Sequence, residues 1–185
     1  NKERSQSWPH ALLSTSTHDT KRSEDVRARI NVLSELPDEW IARVRHWSEL
    51  NRKKKNIVDG DPAPSRNDEY LIYQTLVGTW PLEALTPERA ANYVERLEAY
   101  LVKAMREAKL FSSWLNPNLA YERAASDFLR KLVIPEDEDE FVRDFLDFLS
   151  GVSRAGLHNS LAQVLLKLTA PGVPDIYQGN ELWDF

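Results

Sequence analysis

His18 and Asp19 stand together in the run Ser14-Thr15-Ser16-Thr17-His18-Asp19-Thr20-Lys21-Arg22. The run follows a short apolar stretch, Ala11-Leu12-Leu13, and precedes a helical pattern that starts near Ser23. A carboxylate and an imidazole at the C-terminal end of a strand occupy the position where barrel enzymes place groups that touch substrate. A carboxylate there can grip sugar hydroxyls or offset positive charge growing on an anomeric carbon. The competing use of Asp19 or Thr20 is structural, as the N-cap of the following helix with His18 at the surface. The two uses are compatible.

The other charged groups read differently. Glu24 and Asp25 are adjacent on a helix and cannot face each other as an acid/base pair. They are expected as first-turn acids at the positive end of the helix dipole. Arg52-Lys53-Lys54-Lys55 is expected to be a solvated helix C-terminus, and Glu136 to Glu140 to surround a helix start. Trp114 could stack on a sugar, but packing within a helical layer is preferred; Trp80 and Trp183 are left without a role. There are four His and no Cys, and no two His sit at helical ligand spacing. No metal site and no cofactor are expected.

The elements that must position these residues follow from periodicity. His10 to Ser16 is expected as a strand. Helices are expected from Ser23 to Leu36, ended by Pro37, and from Asp38 to Lys54. The segment Asn56 to Arg66 reads as a loop. A helix capped by Asn67 follows and is stopped by Gly78. Thr86-Pro87 opens a long helix lined by Ala90, Val94, Leu97, Leu101, Met105 and Ala108. Further helices are expected from Asn118 to Leu132, around Phe141 to Leu149 with a stop at Gly151, and across Leu157, Leu161, Val164, Leu165 and Leu168. Pro171 to Pro174 reads as a turn and Asp175 to Gln178 as a strand. One strand at each end with about seven helices between is an odd self-standing domain. It makes sense as two neighbouring strands of a parallel barrel whose connection has been filled by helices.

The 185 residues suffice for one domain with a real core. No apolar run is long enough to span a bilayer, and the first residues do not read as a signal peptide. The 24 basic residues are outnumbered by 29 acidic ones, giving a net charge of −5, which argues against a dedicated nucleic-acid binder. Neither nucleic acid nor membrane is expected as a partner. Both ends look cut, which suggests a fragment of a longer protein.

Several segments together resemble one family. These are Ser16 to Arg22 with Glu24 to Arg29, Tyr73-Gln74-Thr75-Leu76-Val77-Gly78, Ser113-Trp114-Leu115-Asn116-Pro117-Asn118, and Leu168 to Gly179. In type and order they resemble the malto-oligosyltrehalose synthase family, a branch of the alpha-amylase group of retaining glycosidases. The last segment, continued to Glu181, resembles the eighth-strand motif shared across that group. The resemblance implies a mainly α-helical domain inserted between the last two strands of a (β/α)8 barrel. Residues 1–22 would be the remnant of strand 7 and its loop, 23–170 the helical insertion, and 171–185 the remnant of strand 8.

It also implies an activity of the whole enzyme. The reducing-end α-1,4 linkage of a maltooligosaccharide becomes an α,α-1,1 linkage by intramolecular transglycosylation. The nucleophile and the acid/base would lie upstream of Asn1, so this chain alone would not turn over. Asp19 would be the third carboxylate of the group, with His18 beside it. Lys21 and Arg22 would contact the reducing-end glucose, and Glu181 would close the eighth-strand motif in a structural role. The expected partners are the maltooligosaccharide and the missing barrel portion, and the expected compartment is the cytoplasm. The alternatives are an alpha-amylase-type hydrolase and a non-catalytic helical interaction module.

Overall fold

The computed structural model describes residues 1–135, 138–180 and 183. Glu181 and the first part of the acidic run, Glu136 and Asp137, lie outside the described residues. The elements run α1 (Lys2–Ser7), β1 (Leu12–Leu13), α2 (Glu24–Val32), α3 (Pro37–Leu50), β2 (Asn56–Val58), β3 (Asp61–Ala63), α4 (Arg66–Thr79), α5 (Pro87–Ala108), α6 (Leu119–Val133), α7 (Glu140–Thr169) and β4 (Val173–Pro174). The fold is mainly helical, as expected. The chain divides into two compact units. One comprises residues 1–37, 77–80 and 149–185, and the other residues 38–76 and 81–148.

The first unit holds both ends of the chain. β1 and β4 pair in parallel, Leu12 beside Val173 and Leu13 beside Pro174. The backbone N–H of Val173 donates to the Ala11 carbonyl at 2.9 Å, and that of Asp175 to the Leu13 carbonyl at 3.0 Å. Gly172 makes this approach possible. Its φ is +136°, and a Cβ there would lie 2.6 Å from the Ala11 carbonyl oxygen, so only glycine fits. α2 buries Val26, Ala28, Arg29 and Val32. The fully buried Arg29 guanidinium donates from Nη1 to the Trp80 carbonyl at 2.6 Å and lies 5.0 Å from the centre of the Trp183 ring.

Two glycines of α7 have opposite reasons to exist. At Gly156 an added Cβ would meet Arg29 Cγ at 2.7 Å and Arg29 Cα at 3.1 Å. At Gly151 it would meet nothing within 4 Å. Gly156→Ala is therefore expected to destabilise the unit by about 1–3 kcal/mol through overpacking. Gly151→Ala is expected to stabilise it by about 0.5–1 kcal/mol, because a helix-interior glycine gives up more backbone entropy than alanine. Denaturation midpoints moving in opposite directions would establish the difference; equal shifts would refute it.

The second unit is built on aromatic rings. Trp47 on α3 is fully buried. Its ring centre lies 5.5–5.8 Å from those of Tyr73, Phe145, Phe141, Phe148 and Trp40. α5 and α6 pack against each other. Thr86 caps α5 by accepting from the Arg89 N–H, with Pro87 in the first turn, and Asn118 caps α6 by accepting from the Tyr121 N–H. Arg106 grips Glu122 with two bonds of 2.8 Å, and Ser112 Oγ donates to the same carboxylate at 2.5 Å.

Hydrogen bonds from Arg106 hold the Glu122 carboxyl below its usual range despite burial. Burial alone would raise Asp144, but hydrogen bonds from Arg43 and Trp47 outweigh it and hold that carboxyl low as well. A depressed folded-state pKa means that the unfolded chain takes up protons first. The stability these groups supply is complete above the unfolded carboxylate range, near pH 4, and is lost as pH falls through their lower folded values. The denaturation midpoint should be flat near neutrality and drop below about pH 4, with a shallower drop in Glu122→Gln. An equal acid slope in that variant would exclude Glu122 as a source.

Several sequence expectations need correction. Pro37 does not merely end a helix; it opens α3, where its missing N–H costs nothing. Ser65, not Asn67, sits at the start of α4, its hydroxyl accepting from the Asp68 N–H at 3.2 Å. Gly78 does not stop α4, which runs to Thr79. A Cβ there would lie 2.7 Å from Val26 Cγ1, so the glycine serves close packing. The expected loop after Asn56 contains a hairpin, β2–β3, turning at Asp59 and Gly60 with φ of 52° and 90°. Asp-Gly is the pair that such a tight turn favours. The two last helices are one, since α7 passes straight through Gly151. Leu157, Leu161, Leu165 and Leu168 are exposed rather than core. The final strand is Val173–Pro174, and Tyr177–Gly179 form a 3-10 turn. Lys54 and Lys55 are not solvated. They pair with Asp139 at 2.5 Å and Glu69 at 2.8 Å, and all four side chains are at most 16% exposed.

Candidate functional site

The loop of residues 14–22 leaves the C-terminal end of β1 and enters α2. It is held internally by a turn between two threonines. The Thr17 N–H donates to Thr20 Oγ1 at 2.8 Å, and the Thr20 N–H donates to the Thr17 carbonyl at 3.0 Å. The Asp19 N–H donates to Thr17 Oγ1 at 3.3 Å. His18 and Asp19 therefore project from the tip of a defined turn. His18 Nε2 lies 3.4 Å from Asp19 Oδ2, and the two side chains are 82% and 87% exposed. Lys21 is exposed and Arg22 half-buried on the descending side of the same loop.

The capping account of Asp19 and Thr20 is overturned. The N-cap of α2 is Ser23, whose side chain accepts from the Val26 N–H at 3.3 Å. Thr20 Oγ1 is engaged by the loop turn, and the Asp19 carboxylate is presented to solvent beside His18.

Beneath the loop lies a polar cluster that sequence reasoning missed. Glu24 and Asp25 do occupy the first turn of α2, but both are buried. The Glu24 carboxylate takes a hydrogen bond from Thr15 Oγ1, one of 3.0 Å from Asn180 Nδ2 and a longer one of 3.4 Å from Ser16 Oγ. Lys167, from α7, places Nζ 3.5 Å from Glu24 Oε1 and donates to Thr15 Oγ1 at 3.0 Å. The Lys167 and Glu24 side chains are 2% and 3% exposed. Arg27 adds bonds to the Thr15 carbonyl and, at 3.3 Å, to Ser16 Oγ. A lysine inside a leucine-rich stretch was the available signal: Lys167 falls between Leu166 and Leu168 in the last turn of α7.

Tyr73 and Trp114, from two other singled-out segments, belong to the second unit. Tyr73 is fully buried, donating to Glu69 at 2.9 Å and accepting from Asn51 at 3.0 Å. Burial raises its phenol pKa well above the ordinary value. Trp114 is not core: it is 57% exposed, with the Arg106 guanidinium 5.0 Å from its ring centre. A cleft of about 490 Å³ is lined by Arg45, Arg52, Lys55, Arg66, Glu69 and Tyr70 among others and contains none of the loop residues. Among the described residues, no three His, Asp or Glu converge as metal ligands, and no helix is long and apolar enough to cross a membrane.

No protein-family model matches the chain. It is 38% identical over 181 residues to a putative maltooligosyl trehalose synthase of Mycobacterium tuberculosis, covering 98% of this chain and 21% of that protein. The chain thus spans about a fifth of the length of the curated relatives it matches. The crystal structure of a hypothetical maltooligosyl trehalose synthase from Sulfolobus tokodaii superposes with a TM-score of 0.76 at 42% identity, over 90% of this chain and 21% of that one. The maltooligosyltrehalose synthase of Arthrobacter ramosus superposes with a TM-score of 0.78 at 37% identity, over 99% and 21%.

Proposed function

The chain belongs to the maltooligosyl trehalose synthase family, and from that premise we propose that it forms part of the catalytic region of an enzyme of trehalose biosynthesis. The whole enzyme converts the reducing-end α-1,4 linkage of a maltooligosaccharide into an α,α-1,1 linkage, by transferring a glycosyl group within one bound molecule. A retaining transfer needs a nucleophilic carboxylate and an acid/base. In this reading both come from outside this chain, which has no turnover alone. β1 and β4 are neighbouring strands of a (β/α)8 barrel, and residues 23–170 are the helical insertion between them. The parallel pairing of Leu12–Leu13 with Val173–Pro174 supports that arrangement.

Asp19 carries the chemistry assigned to this chain. It grips hydroxyls of the sugar under attack and stabilises the oxocarbenium-like state, with His18 beside it. Lys21 and Arg22 hold the reducing-end glucose while it is turned and recaptured. The observation that carries the reading is the placement of a His-Asp pair at the tip of the loop after β1, released from helix capping, in a chain matched over 98% of its length by such synthases. Solvent must be kept from the glycosyl-enzyme, so a cytoplasmic enzyme acting on soluble glucans needs walls around its site. The helices are suited to that task.

The test is NMR of the anomeric protons of a short maltooligosaccharide incubated with the full-length protein. Loss of reducing-end signals with growth of an α,α-1,1 signal, and no shorter sugars, is the expected result. Growth of reducing ends would mean a hydrolase of the alpha-amylase type. No change in the sugar would leave a non-catalytic helical module.

A further inference from the structure

We propose that Glu24 and Lys167 are positioning residues, a buried ion pair that sets the orientation of the loop carrying Asp19; the inference rests on the assignment of Asp19 above. The loop is braced at both ends by one carboxylate. Thr15 and Ser16, on its ascending side, bond to Glu24, which itself begins the helix on the descending side. Between them the described hydrogen bonds of the tip run within the tip, joining Thr17, Asp19 and Thr20. Such bonds fix its shape. Its direction relative to the strands is set at its base, where Arg27 holds the Thr15 carbonyl and where Lys167 and Asn180 meet. Lys167 arrives from α7 and Asn180 from beyond β4, and both end on Glu24.

The choice of groups supports positioning over simple stability. A buried ion pair loses solvation on both charges, and apolar side chains of equal volume commonly stabilise a fold as well or better. What the pair adds is directional bonding. Lys167 Nζ reaches both Thr15 Oγ1 and Glu24 Oε1, so a shift of the strand end by 1 Å breaks a bond. A displacement of that size in a substrate-positioning group costs about a hundredfold in rate.

The test is the full-length protein carrying Glu24→Gln with Lys167→Met, a neutral pair of similar volume. The expected result is a fall in kcat of about ten- to a hundredfold, with KM for a short maltooligosaccharide nearly unchanged and the melting temperature retained. A folded double variant with the kcat of the wild type would overturn the proposal. Should that variant not fold, Thr15→Val removes only one hydroxyl from the cluster. It is expected to lower kcat several-fold at unchanged KM, and an unchanged kcat would equally overturn the idea. Asp19→Asn, assayed alongside, separates the two claims. If it is fully active, the assignment of Asp19 fails. If it is inactive while the double variant is normal, only the positioning role fails.

Discussion

Asp19→Asn in the full-length protein is expected to lower kcat by roughly a hundredfold to a thousandfold, the cost of removing one preorganised electrostatic group from a transition state. The substitution keeps the shape of the side chain and removes its charge. The side chain is 87% exposed and does not cap α2, a task performed by Ser23. Little folding energy should therefore depend on it, since exposed polar substitutions ordinarily stay within about 0.5 kcal/mol. The signature is a large loss in kcat with an unchanged melting temperature. A variant that keeps near-normal activity would remove Asp19 from the mechanism. A variant that melts much lower would return it to the scaffold.

The second large effect is on stability. Trp47→Ala is expected to cost the aromatic unit about 3–5 kcal/mol, the range for emptying a buried indole site. The ring touches five other aromatic side chains, and its Nε1 donates to Asp144 Oδ2 at 2.6 Å. Asp144 would keep Arg43 but lose its second donor. Trp47→Phe separates the two contributions. It keeps a ring in the site and forfeits the hydrogen bond, so it should cost less, about 1–3 kcal/mol. Urea titration of this chain measures both. Equal costs for the two substitutions would show that the hydrogen bond, not the ring volume, governs the site.

Local signals in the sequence were reliable where one residue decided the outcome. Thr86 with Pro87, and Asn118, mark helix starts because a side-chain oxygen can satisfy an otherwise orphaned N–H, and both do so. The stop signals misled because glycine has two uses. Gly78 is helical and admits the Val26 side chain, which only the tertiary contacts reveal, and Gly151 lies inside α7 with nothing within 4 Å of the place its Cβ would take. Leu157, Leu161 and Leu165 repeat with core periodicity yet face outward in this chain, since periodicity reports an apolar face and not what covers it. At the candidate site, the run around His18 and Asp19 was legible from its position between strand and helix. Its foundation was not. Glu24, Lys167 and Asn180 are far apart in sequence and meet only through folding.

That separation bears on how β1 and β4 come to lie together. Leu12 and Val173 stand near opposite ends of the chain, so their meeting closes a loop that contains nearly every other residue. Closing a loop of a hundred residues or more costs about 5 kcal/mol of chain entropy. The two backbone hydrogen bonds that flank the pair return about 1 kcal/mol each. The strands alone do not bring the ends together. Contacts of α2 with α7, Gly156 on Arg29 and Lys167 on Glu24, hold the two ends near each other as well, and the strand pair fixes their register within that frame.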